Sequence, residues 1–223
     1  MLFIGLLISL TTRPQSGAGP EIWDKFGGIP DTAGIFPGED LIILKNERVI
    51  RNGKIDDFTD YFEHDVVVKY KGMPISLDEN YMQIYVRSDR GARLTWQLQM
   101  GVPQDRTLLS IKLRNRKPNG QVIELDEADS RYVMNQTSKT QGSDGDYSYL
   151  PVPGVDAGDV IEIYSCYFVP WAVKSDEIYF HFYYPVSLSS FRYEYPEGLP
   201  NSLLSLTGVC PMRLVTQNSP TSR

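Results

Sequence analysis

The sequence predicts an all-β protein, an antiparallel β-sandwich of immunoglobulin-like or related architecture with an irregular or short helical crossover. Three observations carry this. Several segments alternate apolar and polar residues with period 2, the pattern of strands with one face packed and one face wet. Turn signals built from Gly, Asn, Asp and Pro recur roughly every ten to fifteen residues, a spacing suited to many short strands. Beyond the first dozen residues no long helical period occurs and strands do not alternate with helices, so a parallel α/β sheet is excluded.

The size and composition fit one such domain with tails. The chain has 223 residues, of which 41% are hydrophobic and 22% charged, ordinary values for a folded globular protein. Its net charge is −6, from 28 acidic against 22 basic residues, which argues against a nucleic-acid surface. The longest basic run, Arg114 to Lys117, leads into a turn and is expected to be a solvated hairpin end.

The amino terminus, MLFIGLLISL, is almost wholly apolar, has the length of a secretory h-region and is too short to span a bilayer. Ser16, Gly17 and Ala18 supply small residues for cleavage, although no Lys or Arg precedes the apolar run. Residues 1–20 are therefore expected to be a clipped signal peptide, giving an exported chain with no membrane span when mature. Residues 21–40, rich in Gly and Pro, are expected to be a linker, 41–198 the β-sandwich, and 199–223 a last strand or irregular tail.

Leu41 to Asn52 is the opening strand, ended by Asn52-Gly53, a strong hairpin signal. The segment IDDFTDYFEHDVVVKY is ambiguous: Phe58, Tyr61, Phe62, Asp65 and Val66 fall at helical spacing, while Val66-Val67-Val68 favours a strand, which is the expectation here. Residues 81–87 oppose Met82, Ile84 and Val86 to Tyr81, Gln83, Tyr85 and Arg87. Residues 107–114 oppose Leu109, Ile111 and Leu113 to Ser110, Lys112 and Arg114. Pro118-Asn119-Gly120 is a tight turn returning through residues 121–125. Residues 127–135 suit a short helix or crossover and 136–146 a polar loop. In PGVDAGDVIEIYSCYF, from Pro153 to Phe168, Gly158 can supply a positive φ, and Asp156 and Asp159 can bond their own turn, before a strand of buried type. Residues 190–195 alternate Phe191, Tyr193 and Tyr195 with Arg192 and Glu194.

Few residues suggest chemistry. His64 lies between Glu63 and Asp65, but strand neighbours point to opposite faces and cannot converge on one ion. Asp144-Gly145-Asp146 lacks the later ligands of a calcium loop, and Asp56, Asp57, Asp60, Glu63 and Asp65 fit a solvated acidic face. Cys166 and Cys210 have no zinc-ligand spacing and would form at most one bridge. A hairpin centred between Val173 and Lys174 would set Cys166 across from His181, the pair of a thiol nucleophile and its base. A reactive thiolate needs a cationic, open setting and an oxyanion hole, and a central strand offers neither, so Cys166 is expected to be a small buried hydrophobe. No catalytic residue, metal or cofactor is expected. Asn135-Gln136-Thr137 fits a glycosylation sequon. Among the many aromatics, Trp96, Trp171, Tyr179 and Tyr183 could form a stacking platform for glycan or peptide, although core filling accounts for the same residues.

Taken in order, LIILKNERVIRNGKI, TLLSIKLRNRKPNGQVIELDE, PVPGVDAGDVIEIYSCYFVP and FHFYYPVSLSSFRYEYPEGLP resemble the uncharacterised domain that precedes transglutaminase-like domains in exported bacterial proteins. The resemblance covers roughly residues 40 to 200 and rests most on Pro118-Asn119-Gly120 and on Gly158 through Glu162. It implies an extracytoplasmic β-sandwich without catalytic residues, docking or positioning a transglutaminase-like or cysteine-peptidase-like partner whose Cys, His and Asp do the chemistry. The ending NSLLSLTGVCPMRLVTQNSPTSR does not follow the pattern, and no His follows His181.

Overall fold

The structure, a computed structural model, describes residues 21–25, 36–95, 99–101, 106–125, 147–149, 152, 154–171 and 183–194. They are mostly β. The strands are β1 (Leu41–Lys54), β2 (Pro74–Val86), β3 (Gln99–Gly101), β4 (Thr107–Arg116), β5 (Val122–Glu124), β6 (Tyr147–Tyr149), β7 (Val160–Val169) and β8 (Ser189–Glu194). Short helices are α1 (Glu21–Lys25), α2 (His64–Lys69) and α3 (Asp89–Leu94), with a 3₁₀ helix at Ile55–Tyr61. Six strands form one sheet in the order β5-β4-β7-β2-β1-β8, and β3 pairs with β6 in a separate ribbon.

The sheet is mixed, which corrects the purely antiparallel expectation. Strand β8 runs parallel to β1, from Asn46 opposite Ser189 to Arg51 opposite Glu194. Since β7 is antiparallel to β2 and β2 to β1, β7 and β8 point the same way, and residues 170–188 provide the long connection a same-sense pair requires. Period-2 patterning reports faces and is blind to this choice.

Both faces of the central strands β2 and β7 are covered, which corrects the expected wet face there, whereas β8 keeps it, with Ser190, Arg192 and Glu194 exposed opposite Phe191 and Tyr193. On one side Leu41, Ile43, Ile84, Val86 and Ile161 form one aliphatic cluster, and Leu108, Ile111, Leu113 and Tyr167 another. On the opposite side of the same strands, Leu77, Tyr81, Tyr164 and Cys166 pack with Trp23 of α1. Tyr81 and Gln83, read as outward-facing, are both wholly buried. A bulge at Leu109 shifts the β4 register, so Leu108 enters the aliphatic cluster and Leu109 packs on the aromatic side instead.

The segment after Asn52-Gly53 is helical, not a strand. Strand β1 runs on through Lys54 to pair with Pro74, so no tight hairpin forms at this dipeptide. Gly53 is needed for a different reason: a Cβ there would come within 2.7 Å of the Phe58 ring. The helical spacing of Phe58, Phe62 and Val66 wins because those side chains pack onto Ile55, Ile75 and Phe168, a tertiary gain that outweighs the β preference of three valines. Asp65 in the first turn and Lys69 in the last complement the dipole of α2.

The turn before β7 behaves as read for Gly158 and Asp159, whereas the Asp156 carboxylate accepts from Lys117 Nζ at 2.7 Å. Gly158 has φ +94°, and Asp159 accepts from the backbone N–H of Asp156 at 2.8 Å. The buried Asp159 carboxylate also accepts from Asn115 Nδ2 at 2.8 Å and Lys117 Nζ at 2.8 Å, tying the start of β7 to the end of β4.

Candidate functional site

Strand alternation brings Glu162, Tyr164 and Cys166 of β7 to the aromatic face. Cross-strand register sets Gln83 beside Glu162, Tyr81 beside Tyr164 and Glu79 beside Cys166 on β2. On β4 it sets Arg114 beside Glu162 and Lys112 beside Tyr164. Two carboxylates, Glu79 and Glu162, therefore lie in the middle of the sheet.

Each is surrounded by donors. Glu162 Oε1 accepts from Tyr81 Oη and from Gln83 Nε2, both at 2.8 Å, Arg114 Nε donates to Oε2, and Arg116 lies 3.6 Å from Oε1. Glu79 accepts from Tyr164 Oη at 2.8 Å and pairs with Arg51, which also donates to Tyr61 Oη at 3.3 Å. Burial would push the Glu162 carboxyl up, but the hydrogen bonds from Gln83, Arg114 and Tyr81 outweigh it and hold it below the ordinary glutamate range. The same environment pushes the phenols up: Tyr81 by burial and the Glu162 charge, Tyr164 by burial, Cys166 and Glu79. The phenols stay protonated donors and Glu162 an ionised acceptor, so these groups do not trade protons near neutral pH.

Trp23 closes this cluster. Its indole is 5% exposed, lies 6.3 Å from the Tyr81 ring at 59°, and has the Arg114 guanidinium 4.3 Å from its centroid. The segment expected to be a linker thus contributes a core side chain. Among the described residues no backbone hydrogen bond joins α1 to the sheet. Burying a Trp contributes about 4–6 kcal/mol at ~25 cal/mol per Å², and the cation–π contact about 0.5–2 kcal/mol. Fixing a five-residue backbone costs roughly 5–10 kcal/mol, so the attachment of α1 is close to balanced.

A further buried acid, Asp78, lies on the aliphatic face. Asp78 receives Arg48 through two bonds, Nε to Oδ1 at 2.9 Å and Nη2 to Oδ2 at 2.8 Å, and Arg106 binds the same Oδ2. One carboxylate thus serves two guanidiniums.

The residues singled out in the sequence are dispersed. Trp171 is 46% and Tyr183 95% exposed. The Trp171 carbonyl accepts from Ser76 at the start of β2, whereas Tyr184, stacked edge-on with Tyr183, packs near Ile43 and Ile84. Eight β2 residues at ~3.3 Å each put these places on the order of 25 Å apart along the sheet. Trp96, Tyr179, His181 and Cys210 lie outside the described residues, as do 127–135 and the Asp144-Gly145-Asp146 loop. Cys166 is buried, carries no disulfide, and is flanked in the sheet by Glu79 and Ser110. Both edges of β7 are filled there, by β2 and β4. His64 is exposed at the start of α2, and among the described residues no group of acids, His or Cys could hold a metal.

Glu79, Arg51 and Trp23 were not singled out from the sequence, Glu162 was read only as part of the strand entry, and Arg114, read as part of a solvated basic run, is instead largely buried against Glu162. One signal was present: Glu162 stands alone as a charge in the otherwise apolar run VIEIYSCYFV, and a charge so placed needs a buried partner.

No protein-family model matches the chain, and no curated protein matches it. Among solved structures, a crystal structure described as a "putative protease" from Parabacteroides distasonis ATCC 8503 aligns at 11% identity with a TM-score of 0.36. The alignment covers 58% of this chain and 23% of that one, and a likeness of this size carries no argument about fold or activity.

Proposed function

We propose that this chain is a non-catalytic, exported β-sandwich accessory domain that positions or docks a transglutaminase-like or cysteine-peptidase-like partner domain. The observation that supports this best is the use made of the central strand. Its acid, phenol and thiol, the groups a catalyst would expose, are built into the sheet by internal partners. The burial of both faces of β2 and β7 supports the sandwich class, since material lies over each. The DNA beyond the Arg223 codon, read in all frames, gives the test its partner. A transglutaminase-like domain encoded there should co-elute with this chain in size-exclusion chromatography. Failure to co-elute, or hydrolytic activity of this chain alone that Cys166→Ala abolishes, overturns the proposal.

The exposure of Trp171 favours a second reading, a glycan- or peptide-binding module. Cell-wall glycan fragments should then quench tryptophan fluorescence in the natural chain and not in Trp171→Ala.

A further inference from the structure

We propose that α1 is a latch: it opens and closes over the Glu162–Arg114 cluster as a unit separate from the sheet, with Trp23 as its catch. The inference stands apart from any docking role. Four observations carry it. The helix is five residues long, too short to persist by its own hydrogen bonds. It is held by side chains, Trp23 on Tyr81 and Arg114 with Ile22 beside them, and among the described residues by no backbone bond to a strand. The described part of the connection to β1, residues 36–40, carries Pro37 and Gly38, the latter at φ +96°. Finally, the carboxylate beneath it is bonded independently of the helix: Glu162 keeps Tyr81, Gln83 and Arg114 whether or not an indole lies above.

The last point separates a latch from an ordinary core element. A core side chain that leaves strands its neighbours' polar groups, whereas Trp23 donates no bond to the cluster and takes away only its shield. Opening therefore wets Arg114 and Tyr81 without breaking an ion pair, and the cost falls on the indole alone. A segment of this kind occupies the low end of the local stability range, below the strands that open only with the whole domain. Once open, the patch presents a guanidinium and a phenol side by side, the surroundings in which Trp23 itself was seated.

Native-state amide exchange read by mass spectrometry tests this on the full chain. The peptide containing 21–25 should exchange about 100-fold or more faster than the peptide containing 160–169, and its rate should be insensitive to low denaturant. Trp23→Ala should remove protection from 21–25 and leave that of 160–169 unchanged. Arg114→Lys, which keeps the charge opposite Glu162 but loses the flat stacking surface, should speed exchange at 21–25 several-fold, about 3–10 times. Exchange of 21–25 in step with 160–169 would overturn the proposal. Equal loss of protection in both peptides on Trp23→Ala, or failure of that variant to fold, would do so as well, because α1 would then be part of the sheet's own core.

Discussion

The two faces of the main sheet bury charge in different ways. On the aromatic face, Glu162 and Glu79 lie under rings, and each receives a phenol hydroxyl as well as a guanidinium. On the aliphatic face, Asp78 stands between Arg48 and Arg106. The first arrangement adds phenol and amide donors to its guanidiniums, which for Glu162 are Arg114 and the more distant Arg116 at 3.6 Å. The second relies chiefly on two guanidiniums close to one carboxylate, with Asn80 Nδ2 at 3.3 Å as the weaker neutral donor. The acids of the aromatic face should thus be more replaceable than Asp78.

The largest effect is expected for Asp78→Ala, which leaves two guanidiniums without their shared partner. Urea denaturation should show a loss of about 3–5 kcal/mol. Glu162→Gln should cost less, about 2–3 kcal/mol, because the amide oxygen still accepts from Tyr81 and Arg114 retains its contact with Trp23. Glu162→Leu with Arg114→Met should be less stable than Glu162→Gln, because Leu strands the buried Tyr81 hydroxyl and Gln83 amide at about 1–3 kcal/mol each. A double variant as stable as the natural chain would show that these neutral donors contribute little to the aromatic face.

The same comparison has a pH form. The Glu162 carboxyl titrates below its unfolded value, so the stability it supplies is present above that value, about 4.3, and is lost as pH falls through the folded one. Urea midpoints should accordingly drop below about pH 4.3, with part of the drop absent in Glu162→Gln. Tyr81→Phe removes one of several donors to Glu162 and should cost about 1–2 kcal/mol. At the small end, Asp156→Ala breaks an ion pair to Lys117 whose acid is 80% exposed, and its effect should stay within about 0.5 kcal/mol.

The sequence made the strands legible where turn chemistry and period 2 agreed. Pro118-Asn119-Gly120 and the Gly158-Asp159 entry lie where their φ and side-chain bonding require. Three features were not legible. The helical 55–69 segment depended on contacts with Phe168, a residue distant in sequence, and local preference pointed the other way. The burial of Tyr81 and Gln83 depended on α1 and the 3₁₀ helix lying over a face that alternation assigned to water. Trp23 lay in a Gly- and Pro-rich stretch whose composition hid a single anchoring side chain. Each of these comes from tertiary contact, which a one-dimensional pattern does not encode.

The parallel pairing of β8 with β1 also bears on how the chain is made. Asn46 bonds Ser189 across 143 positions. At a synthesis rate of roughly 5–20 residues per second, β1 emerges roughly 7–30 s before the strand that covers its outer edge. During that interval residues 46–51 present open N–H and C=O groups, a template for pairing with other chains. The sheet can assemble from β1, β2, β4 and β7 while the edge stays bare. Recruitment of 189–194 is then the last and most non-local step, and the one at which a nascent chain is most exposed to self-association.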